Sequence, residues 1–178
     1  NAAAGEEVLN IAENDAYLFS EVDDLGTYNR KKDYIQKHIQ EVLKLSLVDI
    51  EAIKKANFKV VVDAVNSTGG IAIPALLKEL NVECVELYCE PNGQFPHNPE
   101  PLKEHLTVIS ELVVKEKADL GIVVDPDVDR LALVCEDGSM FGEEYTLVAV
   151  ADYVLSQTPG ATVSNLSSTR ALRDITEE

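Results

Sequence analysis

Phe58–Val62, Val82–Tyr88 and Leu120–Val124 are short apolar runs rich in β-branched residues and bounded by turn residues, the pattern of strands buried on both faces. Between them lie Ile71–Leu80 and Leu102–Lys117, whose apolar residues return at helical spacing. Strands separated by helices are predicted to form a layered α/β sheet, with ligands at the C-terminal ends of the strands. Leu131–Cys135 reads as a further strand, followed by hairpin-turn chemistry at Glu136-Asp137-Gly138-Ser139. Beyond it the pattern predicts a helix over Glu143–Leu155, a break at Thr158-Pro159-Gly160, a strand over Ala161–Asn165 and a helix over Ser168–Glu178. Upstream, Lys31–Leu47 places Tyr34, Ile35, His38, Ile39, Val42, Leu43 and Leu45 at helical spacing, and Asp49–Ala56 suggests a second short helix. Residues 1–28 are small, acidic and weakly patterned; they read as a frayed end or linker, with helical character around Ala12.

The first of these loops to carry chemistry is Asp125-Pro126-Asp127-Val128-Asp129-Arg130, which follows the run Leu120–Val124 directly. Three carboxylates at alternate positions beside a buried strand concentrate negative charge where solvation is poor, and a bound cation relieves it. Aspartates after a strand also form turns and caps, so a purely structural role is the competing reading. An EF-hand fits less well. Asp125, Asp127 and Asp129 fill loop positions one, three and five and Glu136 falls at twelve, but Arg130 stands where the sharp turn demands glycine. Three oxygen donors with open positions suit Mg²⁺ shared with a phosphate. Arg130 beside them is either their ion-pair partner or a fork for phosphate.

Two other loops stand out. Asn66-Ser67-Thr68-Gly69-Gly70 joins a strand to a helix and could cradle an anion, but it lacks the P-loop and dinucleotide fingerprints, so a tight structural turn is favoured. Glu90–Pro101 holds four of the seven prolines and must be irregular. It carries His97, which in such a loop is more often structural than catalytic; His38 and His105, on helical patterns, are weaker candidates.

Of the 178 residues 46% are hydrophobic, enough for a core. With 32 acidic against 15 basic residues the formal charge is −17, which disfavours nucleic acid and anionic membranes as partners. No apolar run approaches a membrane span, and the first residues carry no signal pattern. Cys84, Cys89 and Cys135 have no metal-type spacing, and a reducing cytoplasm is the expected compartment.

Asp125–Arg130, with the apolar strand and Glu-Asp-Gly turn that follow it, resembles the metal loop of the α-D-phosphohexomutase family, which includes phosphoglucomutases, phosphomannomutases and phosphoglucosamine mutases. Val61-Val62-Asp63-Ala64 with the Gly69-Gly70 turn, and Phe95-Pro96-His97-Asn98-Pro99-Glu100-Pro101, also resemble segments of that family. The likeness runs from about Lys31 to Glu178 and points to the family's second domain with the start of its third.

The resemblance implies an α/β/α domain over residues 29–139, the start of a second similar domain over 140–178, and a linker from a missing first domain over 1–28. It implies that Asp125, Asp127 and Asp129 each give an oxygen to Mg²⁺ and that Arg130 contacts phosphate. The parent would move a phosphoryl group between C1 and C6 of a hexose phosphate, through a phosphoserine and a hexose bisphosphate. The phosphoserine, the sugar loop and a phosphate loop would come from the remaining domains, leaving this fragment inactive alone. Pro126 replaces the commoner glycine of the loop, and Ser167 stands in the turn Asn165–Arg170 where some members carry lysine. A phosphatase-like hydrolase and a non-enzymatic acidic binding module are the alternatives. The hydrolase would want a nearby lysine and a threonine or serine after a second strand, and the nearest lysines, Lys115 and Lys117, fall on the preceding helix.

Overall fold

The computed structural model describes residues 1–177, the side chain of Glu143 excepted. The chain divides into a unit of residues 1–32 and a unit that starts at Asp33. In the first, helix α1 (Ala2–Glu13) is capped by Asn1, whose side chain accepts the Ala4 N–H at 2.9 Å. The helix extends well beyond the neighbourhood of Ala12, because a run of alanines and a good cap favour it, yet it buries no residue.

The second unit is built on a sheet in the order β2-β1-β3-β4, from β1 (Lys59–Asp63), β2 (Glu83–Leu87), β3 (Leu120–Val124) and β4 (Leu131–Cys135). β1 runs parallel to both neighbours, with Val61 opposite Val85 and Gly121. β4 returns antiparallel to β3, with Leu133 opposite Ile122. Helices α2 (Tyr34–Val42), α3 (Ile50–Ala56), α4 (Gly69–Glu79) and α5 (Thr107–Glu116) complete the layers, followed by α6 (Glu143–Gln157) and α7 (Ala171–Glu177).

The continuous apolar runs reflect two cores, one on each face of the sheet. Val61, Val123, Ala132 and Val134 pack with Ile109 and Val113 of α5; Val60, Val62 and Val124 pack with Leu77 and Leu80 at the end of α4. Successive residues of β1 thus enter opposite cores, and alternation with polar residues has no place there. The layered α/β/α class read from the sequence is the class observed.

Three predicted elements differ, the first being the helical pattern over Lys31–Leu47, of which only Tyr34–Val42 is helix. Ala161–Asn165 forms no strand: a strand exists only as a paired ladder, none of the described residues pairs with it, and Val163 is fully exposed. The helix predicted from Leu102 begins at Thr107, because Leu102 is extended and Lys103–His105 form a single 3₁₀ turn, which also takes His105 off the helix. No helix among the described residues is long and apolar enough to cross a membrane.

Since β1, β2 and β3 are parallel, the segments that leave their C-terminal ends gather at one edge of the sheet: the turn after Asp63, the proline-rich loop after Leu87 and the acidic loop after Val124. All three singled out in the sequence therefore share that edge.

Candidate metal centre

β3 delivers Asp125 at 6% exposure, straight from the buried Val124. Its Oδ1 accepts the N–H groups of Asp129 and Arg130, each at 3.1 Å, and its carbonyl accepts the Val128 N–H at 3.2 Å. The loop therefore winds around this one side chain. Val128 takes φ +63°, an uncommon conformation for a β-branched residue, which these bonds stabilise. The winding leaves Asp127 and Asp129 exposed, and one carboxylate oxygen from each of the three aspartates lies within 4.8 Å of the others.

The loop is also fastened from below. Pro126 carbonyl accepts the hydroxyl hydrogens of Ser67 at 2.6 Å and Thr68 at 3.0 Å. The Gly69-Gly70 turn lets the chain pass this close: a Cβ at Gly69 would press on Val124, and one at Gly70 would strike the Cys89 carbonyl. The glycine pair opens α4 where side chains would not fit.

Electrostatics distinguish the three carboxylates. Burial pushes the Asp125 carboxyl up, but the N–H donors of Arg130 and Asp129 and its neighbouring carboxyls outweigh it and hold it below the usual range. Asp129 is raised, first by its contact with Asp125 and then by the charge of Asp127 and Asp125. One carboxylate held ionised beside another driven towards its proton is a site short of positive charge.

Arg130 fills that gap only in part. Its Nε stays 4.0 Å from both Asp125 and Asp129, while Nη1 donates to Glu100 Oε1 at 2.6 Å. Its pKa is raised, chiefly by the Glu100 hydrogen bond.

An all-oxygen carboxylate cluster suits a hard divalent cation, and only Oδ1 of Asp125 is taken by backbone N–H donors. The residues present therefore fit Mg²⁺. The EF-hand alternative fails on position: Glu136 follows Cys135, which pairs with Leu120 at the far end of β3. The lysine a phosphatase would want is not supplied by Lys115 or Lys117, which precede Leu120 at that same far end.

His97 is drawn to Asp63, a residue the sequence reading did not assign to the site; its Nε2 lies 3.0 Å from Asp63 Oδ2. Glu100 was likewise missed. The signals available were a carboxylate ending an apolar strand, for Asp63, and the family-like segments Val61–Ala64 and Phe95–Pro101 in which Asp63 and Glu100 lie. Ser167 and Ser168 donate their hydroxyl hydrogens to Asn165 Oδ1, each at 2.9 Å, in a turn closed on itself.

Residues 32–138 match the model of the phosphoglucomutase/phosphomannomutase family, α/β/α domain II, and the chain belongs to this family. It is 38% identical over 148 residues to a phosphoglucomutase/phosphomannomutase of Thermococcus kodakarensis, covering 82% of this chain and 32% of that protein. A phosphoglucomutase of Neisseria gonorrhoeae is 32% identical over 170 residues, covering 94% of this chain and 35% of that protein. A solved structure from Thermus thermophilus superposes with a TM-score of 0.72 at 24% identity, over 83% of this chain and 34% of that one, a likeness of fold. The chain thus spans about a third of the length of the curated relatives it matches.

Proposed function

We propose that this chain is the metal-binding part of a Mg²⁺-dependent phosphohexomutase, an intramolecular phosphotransferase acting on hexose phosphates in the cytoplasm. Residues 29–139 are the metal-loop domain, 140–178 begin the next domain and 1–28 link to a preceding one. The reaction moves a phosphoryl group between C1 and C6 through a phosphoserine and a hexose bisphosphate. The phosphoserine and sugar-recognising groups belong to the remaining domains of the parent, so the fragment alone is inactive. The observation that carries this reading is the convergence of three carboxylate oxygens within 4.8 Å at the end of a parallel strand, beside an arginine held 4.0 Å from two of them with Glu100 as its closest partner.

Asp125, Asp127 and Asp129 would hold the ion, which when bound supplies positive charge against a transferring phosphoryl group. Asp125 sets the loop's shape through Oδ1, and the exposed Asp127 and Asp129 face the incoming group. Arg130 keeps N–H donors beyond the one given to Glu100, and a guanidinium can take phosphate oxygens with these. Catalysis of this type consists of positioning and charge stabilisation.

The test is a mutase assay on the parent protein with glucose 1-phosphate and mannose 1-phosphate. Turnover should require Mg²⁺, fall by at least about a hundredfold in Asp127→Asn, and be absent from the isolated chain. Full turnover in the presence of a chelator, or in Asp127→Asn, would overturn the proposal.

A further inference from the structure

The proline-rich loop after β2 is fastened at three points, and the last is the guanidinium beside the acidic loop. Near its start, Gly93 N–H donates to the Asn66 carbonyl at 3.0 Å, and Asn66 Nδ2 donates to the Gln94 carbonyl at 3.0 Å. In its middle, the His97 ring lies between Asp63 Oδ2, 3.0 Å from Nε2, and the Asn98 carbonyl, 2.7 Å from Nδ1. At its end, Glu100 N–H donates to Asn98 Oδ1 at 3.0 Å, and the Glu100 carboxylate takes Arg130 Nη1.

The anchor of this chain of contacts is buried. Asp63 is 1% exposed at the end of the central strand, and its Oδ1 accepts the N–H of Val65, held at φ +46°. The Tyr88 ring meets His97 edge-on at 5.8 Å. Both partners of the His97 ring are acceptors while Asp63 is ionised, so an imidazolium satisfies both contacts. A neutral ring satisfies them equally if the proton moves onto Asp63, which then donates to Nε2. The clamp therefore survives a proton shift within the pair.

At the other end the Arg130 side chain is half exposed, and Glu100 is its one close partner, since Nε stays 4.0 Å from Asp125 and Asp129. Fixing a free arginine on a phosphate costs rotamer entropy, and holding it beforehand removes much of that cost. Glu100 occupies Nη1 alone among the three guanidinium nitrogens, so it aims the group without blocking it.

Resting on the function proposed above, we propose that His97 is a positioning residue: clamped by Asp63, it acts through Asn98 and Glu100 to present the Arg130 guanidinium to phosphate.

The test uses this chain, with inorganic phosphate as probe and two readouts. In nitrogen-15 spectra of the arginine side chains at low temperature, a restrained Arg130 signal should be present in the wild type and lost in Glu100→Gln and His97→Ala alike. In the presence of Mg²⁺, phosphate affinity should fall about tenfold in both variants, while Mg²⁺ affinity without phosphate stays unchanged. A restrained Arg130 signal in His97→Ala, or unchanged phosphate affinity, would overturn the proposal. So would a loss of Mg²⁺ affinity equal to the loss for phosphate, since that marks general loosening. If His97→Ala does not fold, Glu100→Gln at its exposed position decides, and unchanged phosphate affinity there is the contrary result. An Arg130→Ala control separates the two readings. If it leaves phosphate binding intact, the phosphate role of Arg130 falls; if it weakens binding while His97→Ala does not, only the positioning role falls.

Discussion

Replacing Asp125 separates the two tasks of one side chain. Its Oδ1 holds two backbone N–H groups at 3.1 Å, and a hydrogen bond to a charged group contributes about 1.5–3 kcal/mol. Asp125→Ala deletes both, a loss of about 3 kcal/mol at the low end of that range. It also removes a buried charge and its repulsion with Asp127 and Asp129, which returns about 1 kcal/mol and leaves about 2 kcal/mol of destabilisation. For a chain of this size that lowers Tm by about 4–8 °C. Asp125→Asn keeps an acceptor oxygen of the same shape and should lose about 1 kcal/mol or less. The assay is thermal unfolding followed by circular dichroism in the presence of a chelator. Both variants should lose Mg²⁺ binding, but only the alanine variant should lose substantial stability. Equal Tm values for wild type and both variants would refute the view that Asp125 organises the loop.

Three further outcomes are expected. Gly70→Ala would force a Cβ into the Cys89 carbonyl, where backbone must move; a loss of about 2–4 kcal/mol is expected by urea unfolding, and a loss under about 0.5 kcal/mol would contradict the packing role. Burial raises the Asp63 carboxyl, a shift that the Val65 N–H and His97 only partly offset, so the folded state binds this proton more tightly than the unfolded state. Stability contributed by Asp63 is thus greatest below its unfolded pKa of about 3.9 and declines as pH rises through the higher folded value. The stability difference between wild type and Asp63→Asn, followed by urea unfolding, should shrink over that window, and a pH-independent difference would contradict the shift. Cys84 and Cys89 are pushed up to about 11 and about 12, first by burial and then by the Glu86 charge. At pH ~8 their thiolate fractions are on the order of one in a thousand or less, so alkylation should be far slower than for a free thiol, and labelling at the free-thiol rate would refute this.

The sheet was legible because each strand enters two cores, so runs such as Val60-Val61-Val62 stay apolar throughout. The acidic loop stood out because three carboxylates alternate directly after a buried strand, although aspartates there also form turns, as Asp125 does. The division of labour within it was not: nothing in the spacing distinguishes Asp125, which turns one oxygen to the backbone, from Asp127 and Asp129, which face outward. The pairings of His97 with Asp63 and of Glu100 with Arg130 arise only because β1, β2 and β3 run parallel and end together, a tertiary fact that local pattern does not carry. Ala161–Asn165 failed for the opposite reason, since its composition suits a strand while pairing requires a partner elsewhere.

The central claim is that the aspartate loop holds a divalent cation, and the most direct measurement is a calorimetric titration of Mg²⁺ into this chain and into Asp127→Asn, before and after saturating phosphate. The account predicts one site in the wild type, tightened by phosphate and lost in the variant. Binding that is the same in both proteins, or a wild type that takes up no Mg²⁺ even with phosphate present, would contradict it and leave a non-enzymatic acidic surface loop as the better description.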